Sequence, residues 1–95
     1  MRNRSDIYYA LENAIEALVA RSGTDRECAL QAACEVQHLK ESDFSVPMET
    51  GYFRQIDAYR KELHAGTISD EALRRMRANF WELYKSVAKS LRSSA

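Results

Sequence analysis

A chain of 95 residues makes one domain, and at this length about two-thirds of the unfolded surface is buried in a single modest core. Three glycines and one proline are few and give no indication of disorder, no low-complexity segment is visible, and no stretch approaches the ~20 apolar residues of a membrane span. Net charge is zero, but residues 1–50 hold nine acids against five bases (−4) and residues 51–95 nine bases against five acids (+4), an asymmetry able to steer association.

The first helix is predicted over about residues 5–21. Ser5 is placed as its N-cap, and Asp6 suits the positive end of the helix dipole. Tyr8, Leu11, Ile15 and Leu18 form its apolar stripe, widened by Ile7, Ala14 and Val19, and Gly23 is the left-handed stop. Tyr9 points about 100° away from Tyr8, onto a flank. Behind Arg2 and Arg4, the acids Asp6, Glu12 and Glu16 interrupt any apolar run, so no secretion leader is expected.

Thr24-Asp25-Arg26-Glu27 has the form of a capping box and opens a second helix over about 25–40. Ala29, Ala33, Val36 and Leu39 give it an alanine-rich face that buries little area per residue. Cys28 and Cys34 sit six residues apart on it, too far along one helix for a disulfide, and free thiols fit a reducing, cytoplasmic setting. Residues 40–46 break the helical period and place Phe44 and Val46 on a connection.

Pro47 fits the first position of a third helix over 47–65, with Tyr52, Ile56, Tyr59 and Leu63 as its stripe, Met48 and Phe53 nearby, and Gly66 as its stop. Ser69 caps a fourth helix over 70–91, and Ile68 and Leu73 occupy the two positions of a hydrophobic staple. Leu73, Met76, Phe80, Leu83 and Val87 recur at steps of three and four, the clearest amphipathic pattern in the chain. The Ser93-Ser94-Ala95 tail is expected to fray.

The short turns at 22–24 and 66–69 make the helices two antiparallel hairpins. The predicted fold is therefore all-α: a single helical domain, 1–95, arranged as an up-down four-helix bundle that closes within one chain or is completed by dimerisation.

Signatures of chemistry are sparse. Cys34 and His38 share a helix face, but two ligands do not make a zinc site, and His64 and Cys28 fall where they add no complete set. Glu12 and Glu16 read as a solvated face, and the scattered glycines cannot grip a phosphate. No metal, cofactor or catalytic residue is assigned, and the chain is read as no enzyme.

A second stripe on the fourth helix carries the functional expectation. Arg74, Arg77, Trp81, Tyr84 and Ala88 recur beside the core stripe, with Arg77 and Trp81 spaced for a cation–π pair. Tryptophan, tyrosine and arginine are the residues most enriched at binding hot spots. With Phe44 on its connection and Tyr9 on its flank, these residues nominate a surface for another protein, or for a second copy of the chain as a homodimer. The expected role is a small module that regulates, inhibits or escorts a larger partner. The alternative is nucleic acid, because six bases and one acid lie between residues 74 and 92. No membrane partner is expected.

Overall fold

Asparagine, not serine, starts the first helix. In the computed structural model, which describes residues 3–20 and 23–93, the Ser5 amide donates to Asn3 Oδ1 at 2.8 Å and helix α1 runs Arg4–Val19. Arg2, Arg21 and the Ser94-Ala95 tail, which bear on the leader, helix-end and fraying expectations, lie outside these residues. The described residues form four packed α-helices and one 3-10 turn, with no strand among them.

Helix α1 is also rolled relative to expectation. Ile7, Ala10, Leu11, Ala14 and Leu18 are buried, Tyr8 and Ile15 only partly, and Val19 is exposed. Its chain direction turns at Ala20, in extended conformation, before Gly23 is reached. Gly23 has positive φ (113°) but does not cap α1, and the Glu27 side chain lies over the space its Cβ would fill.

Helix α2 covers only Asp25–Glu35, five residues short of the expected end. Thr24 Oγ1 accepts from the Glu27 amide, which is one of the two bonds of the expected capping box. Beyond Glu35 the amides bond one residue closer: Val36 to the Ala33 carbonyl, Gln37 to Cys34 and Leu39 to Val36. The reason lies in the side chains. Cys28, Ala29, Ala32 and Ala33 are its buried residues, so little packing energy per turn holds the helix on its axis. The tighter turn still buries Val36 and Leu39. Cys34, expected beside the apolar face, is exposed, whereas the buried Cys28 thiol sits 3.2 Å from the Ala20 carbonyl; both thiols are free.

The connection is not irregular throughout. Glu41–Asp43 form a 3-10 turn, and the Asp43 carboxylate accepts from the Lys40 amide at 2.8 Å. Arg54 pairs with Glu41 across this turn, and that hydrogen bond holds the exposed Glu41 carboxyl below its ordinary range. Phe44 folds inward against Phe53, ring centres 5.1 Å apart.

Helix α3 spans Pro47–Ala65 and ends at Gly66, whose left-handed backbone (φ 76°, ψ 14°) returns the chain. Phe53, Ile56 and Leu63 enter the core, Tyr52 and Tyr59 lie half-buried, and Met48 is exposed. Helix α4 spans Asp70–Ser93, with Ser69 Oγ accepting from the Ala72 amide. All five residues of its predicted core stripe are buried, four of them completely.

Helix α1 packs mainly on α2 and α4, and α4 on α3; α2 meets α3 and α4 only lightly. Tyr8 near the start of α1 meets Tyr84 late in α4, while the Leu18 carbonyl near the end of α1 meets Arg77. These helices therefore run antiparallel, as do α3 and α4, joined by Asn79–Gln55 and Ser86–Glu49. The radius of gyration, 12.7 Å, is what about 100 compactly folded residues take up.

Gly51 lies inside α3 with nothing within 4 Å of the position a Cβ would take. Gly51→Ala is therefore expected to raise stability by about 0.5–1 kcal/mol, by removing unfolded-state entropy at no steric cost. Urea unfolding checks it; an unchanged or lower midpoint contradicts it.

Candidate functional site: an aromatic groove between the first and last helices

Four aromatic rings form a continuous row across the seam of α1 and α4. Tyr9 meets Tyr8 edge-on at 5.7 Å, Tyr8 stacks on Tyr84 at 5.5 Å, and Tyr84 stacks on Trp81 at 5.7 Å. The Tyr8 and Tyr84 hydroxyls lie 3.2 Å apart, within hydrogen-bond distance. The row exists because Tyr8 rolled to the edge of α1 when Ile7 took the core, and because Trp81 and Tyr84 stand beside the core stripe of α4 on the side that faces α1.

C-terminal to Trp81 the row opens into a groove of about 950 Å³. Tyr8, Trp81, Tyr84, Ala88 and Leu91 supply its apolar lining, and Lys85, Lys89 and Arg92 its cations. Ala88, nearly buried, is the one small side chain in this lining. Lys85 Nζ lies 5.8 Å from the Trp81 ring centre and 3.0 Å from Glu82. For Lys89 and Arg92 no acidic partner is found among the described residues.

The expected Arg77–Trp81 stack is not formed. Helical side chains lean toward the N-terminus, so a cation covers a ring from the C-terminal side. Lys85 meets that condition and Arg77 does not. Arg77 instead reaches the Leu18 carbonyl at 3.5 Å and Asp25 at 3.6 Å, where the negative end of α1 meets an acid. Arg74 is exposed, seven residues before Trp81. Of the residues nominated from sequence, Trp81, Tyr84 and Tyr9 come together, whereas Arg74 and Arg77 belong to the other end of α4. Phe44 is 5% exposed and offers a partner no surface. Tyr8 and Leu91 are the additions; Lys85, Lys89 and Arg92 counted in the sequence only among the six bases of the nucleic-acid alternative. The spacing of Lys85 from Trp81 was a usable signal for the first cation; the roll of α1 that exposes Tyr8 was not.

The hydrogen bond to Tyr84 pushes the Tyr8 phenol up to about 12, with burial and the Tyr84 and Glu12 charges adding to it, so it stays protonated at neutral pH and is no base. Elsewhere, Ser86 Oγ donates to Glu49 Oε2 at 2.6 Å, a contact that resembles a nucleophile beside a base. Arg4 already grips the same carboxylate through both oxygens, at 2.8 and 3.1 Å. Burial alone raises the Glu49 pKa, but the Arg4 and Ser86 hydrogen bonds and the Arg4 charge more than offset it. A carboxylate held below its usual range takes up protons poorly, so the cluster acts as a buried clasp. Among the described residues no group of three or more His, Cys, Asp or Glu is placed to hold a metal ion, and no helix is long and apolar enough to cross a membrane.

No family model, curated protein or solved structure matches the chain.

Proposed function

We propose that this protein is a non-enzymatic binding module that holds another protein in the groove between α1 and α4, and so regulates, inhibits or escorts it. The observation that carries the reading is the half-exposed Trp81 (48%), stacked on Tyr84 and continued by an apolar hollow with cations along one side. Tyr8 and Tyr84 also pack against the core, but the ring surface that the row leaves exposed costs a monomer solubility, and aromatic anchors beside a pocket dominate the energetics of interfaces. The four helices, on this reading, form an up-down bundle complete in one chain, supported by the antiparallel pairings of α1 with α4 and α3 with α4. Docking of a second copy on the same face is the homodimeric version of the proposal. The free thiols of Cys28 and Cys34 favour the cytoplasm as its compartment.

Nucleic acid is the second reading, favoured by the meeting of Lys85, Lys89 and Arg92 with stacked rings. Against it, Trp81 already stacks on Tyr84 and carries Lys85 over its ring, which reduces the open π-face available to a base. Arg75, Arg77 and Lys85 are also paired with acids of the chain itself.

Trp81→Ala is expected to leave the helical circular dichroism intact and to weaken partner binding by about 30-fold, the effect of losing a ~2 kcal/mol anchor. Affinity capture with wild type and variant, side by side, is the test. A folded variant that retains every captured protein means the row is packing only. A shift of DNA or RNA at low ionic strength that Trp81→Ala abolishes moves the assignment to the second reading.

A further inference from the structure

Resting on that reading, we infer that the groove's occupant is an amphipathic α-helix with acidic residues along one flank of its apolar stripe. Spacing argues for a helix. Trp81, Tyr84, Ala88 and Leu91 follow one another at steps of three, four and three, the rhythm of a helix-on-helix seam. From Trp81 to Leu91 the floor extends about 15 Å at ~1.5 Å per residue, or close to three turns. Ala88, the one small residue of that line, stands past its midpoint between Tyr84 and Leu91, and one leucine or phenylalanine of an incoming helix is expected to seat there. An extended segment alternates its side chains every second residue and does not match this row.

Charge argues for acids on that helix. Lys85, Lys89 and Arg92 stand at steps of four and three, one per turn, along the outer side of the apolar line. A helix seated in the groove carries its own flank beside them, at the same repeat. Glu82 satisfies part of Lys85, and Glu12 acts on Tyr8 at the α1 edge, so the surplus of positive charge lies toward Lys89 and Arg92. The partner's acids are therefore expected toward the end of the groove near Arg92. Such complementarity sets orientation and on-rate as much as affinity.

A second copy is the weaker occupant. The exposed side of α1 does carry acids, but Tyr9 and Val19 are its only large exposed apolar residues and stand ten positions apart, which leaves no row to fill the groove. A polyanion meets the acids of that same side.

Trp81 is the only tryptophan of the chain, so its fluorescence reports on the groove itself. The probes are three synthetic helical peptides of about four turns with one leucine-phenylalanine stripe and glutamate, glutamine or lysine flanks. The glutamate peptide is expected to shift Trp81 emission and to bind at least ~10-fold tighter than the glutamine peptide, an advantage that shrinks as salt is raised. Lys89→Glu/Arg92→Glu is expected to transfer the preference to the lysine peptide. Equal binding of the glutamate and glutamine peptides defeats the charge inference and leaves the binding module standing. Binding of a single-stranded oligonucleotide in place of all three, or a concentration-dependent change in Trp81 emission that tracks self-association without peptide binding, replaces the occupant and defeats the inference. If no probe binds and Trp81→Ala loses no captured partner, the module itself falls with it.

Discussion

Replacing Arg4 by alanine is expected to cost about 3 kcal/mol of stability, and to lower the melting temperature by more than ~10 °C. Glu49 is 1% exposed, and its two oxygens accept from Arg4 Nη1, Arg4 Nη2 and the Ser86 hydroxyl. These bonds tie the starts of α1 and α3 to the end of α4. Removing the guanidinium leaves a carboxylate in the interior with one hydroxyl to answer it, which is the expensive way to break a buried pair. The lower end of the usual ~3–5 kcal/mol range applies because the Arg4 side chain is 27% exposed, so water reaches it. Acid supplies the control. Because the folded pKa of Glu49 lies below the unfolded one, its contribution is complete above about pH 4.3 and is lost as the pH falls through the lowered folded value. Wild type should therefore lose stability on acidification more steeply than Glu49→Gln, in urea melts run at neutral and at acid pH. Parallel acid limbs for the two proteins rule out a clasp that depends on the ionised carboxylate.

That clasp is only half legible in the sequence. Glu49 falls in register with Phe53 and Ile56, on the face that α3 buries. An acid in a core register is a signal, but its partner Arg4 lies 45 residues away, and no periodicity predicts where two helix starts will meet. Local rules succeeded where local energies decide. Pro47, Gly66, Thr24 and Ser69 act at the ends where their backbone preferences place them. The core stripe of α4 was legible because five large apolar residues leave the helix one way to face. Helix α2 was misjudged by five residues because alanines constrain its axis weakly. The site shows the same division. Trp81 and Tyr84 stood out by residue type and spacing. Tyr8 did not, because Ile7 and Tyr8 compete for the core and only the packing of α1 against two neighbours decides between them. Arg77 leaves its expected place beside Trp81 because the carbonyl of Leu18 and the carboxylate of Asp25, which come from other elements, compete for it.

Phe80→Ala and Trp81→Ala, adjacent substitutions on one helix, are expected to separate folding from binding. Phe80 is 0% exposed and sits centrally in the buried stripe of α4. Its truncation opens a cavity and is expected to cost ~3–5 kcal/mol, about a fifth or more of the stability of a domain this size. Trp81 is 48% exposed, so its truncation removes only part of a ring from its packing and is expected to cost about 1 kcal/mol. Alanine is a strong helix former at both positions, so neither change breaks the helix itself. For binding the order reverses. Below its lowered melting temperature Phe80→Ala still presents Trp81, Tyr84 and the three cations, and is expected to hold the acidic helical peptide within a few-fold of wild type. Trp81→Ala, the more stable variant, is expected to lose about 30-fold. Thermal melts followed by circular dichroism and peptide titrations at ~10 °C, with the dye on the peptide because one variant lacks the tryptophan, measure both quantities on the same samples. If affinity tracks stability across the two variants, α4 has one functional face and the groove is an edge of the core. If they part in opposite directions, the helix divides along its length into a side that folds the protein and a side that the fold leaves open for a partner.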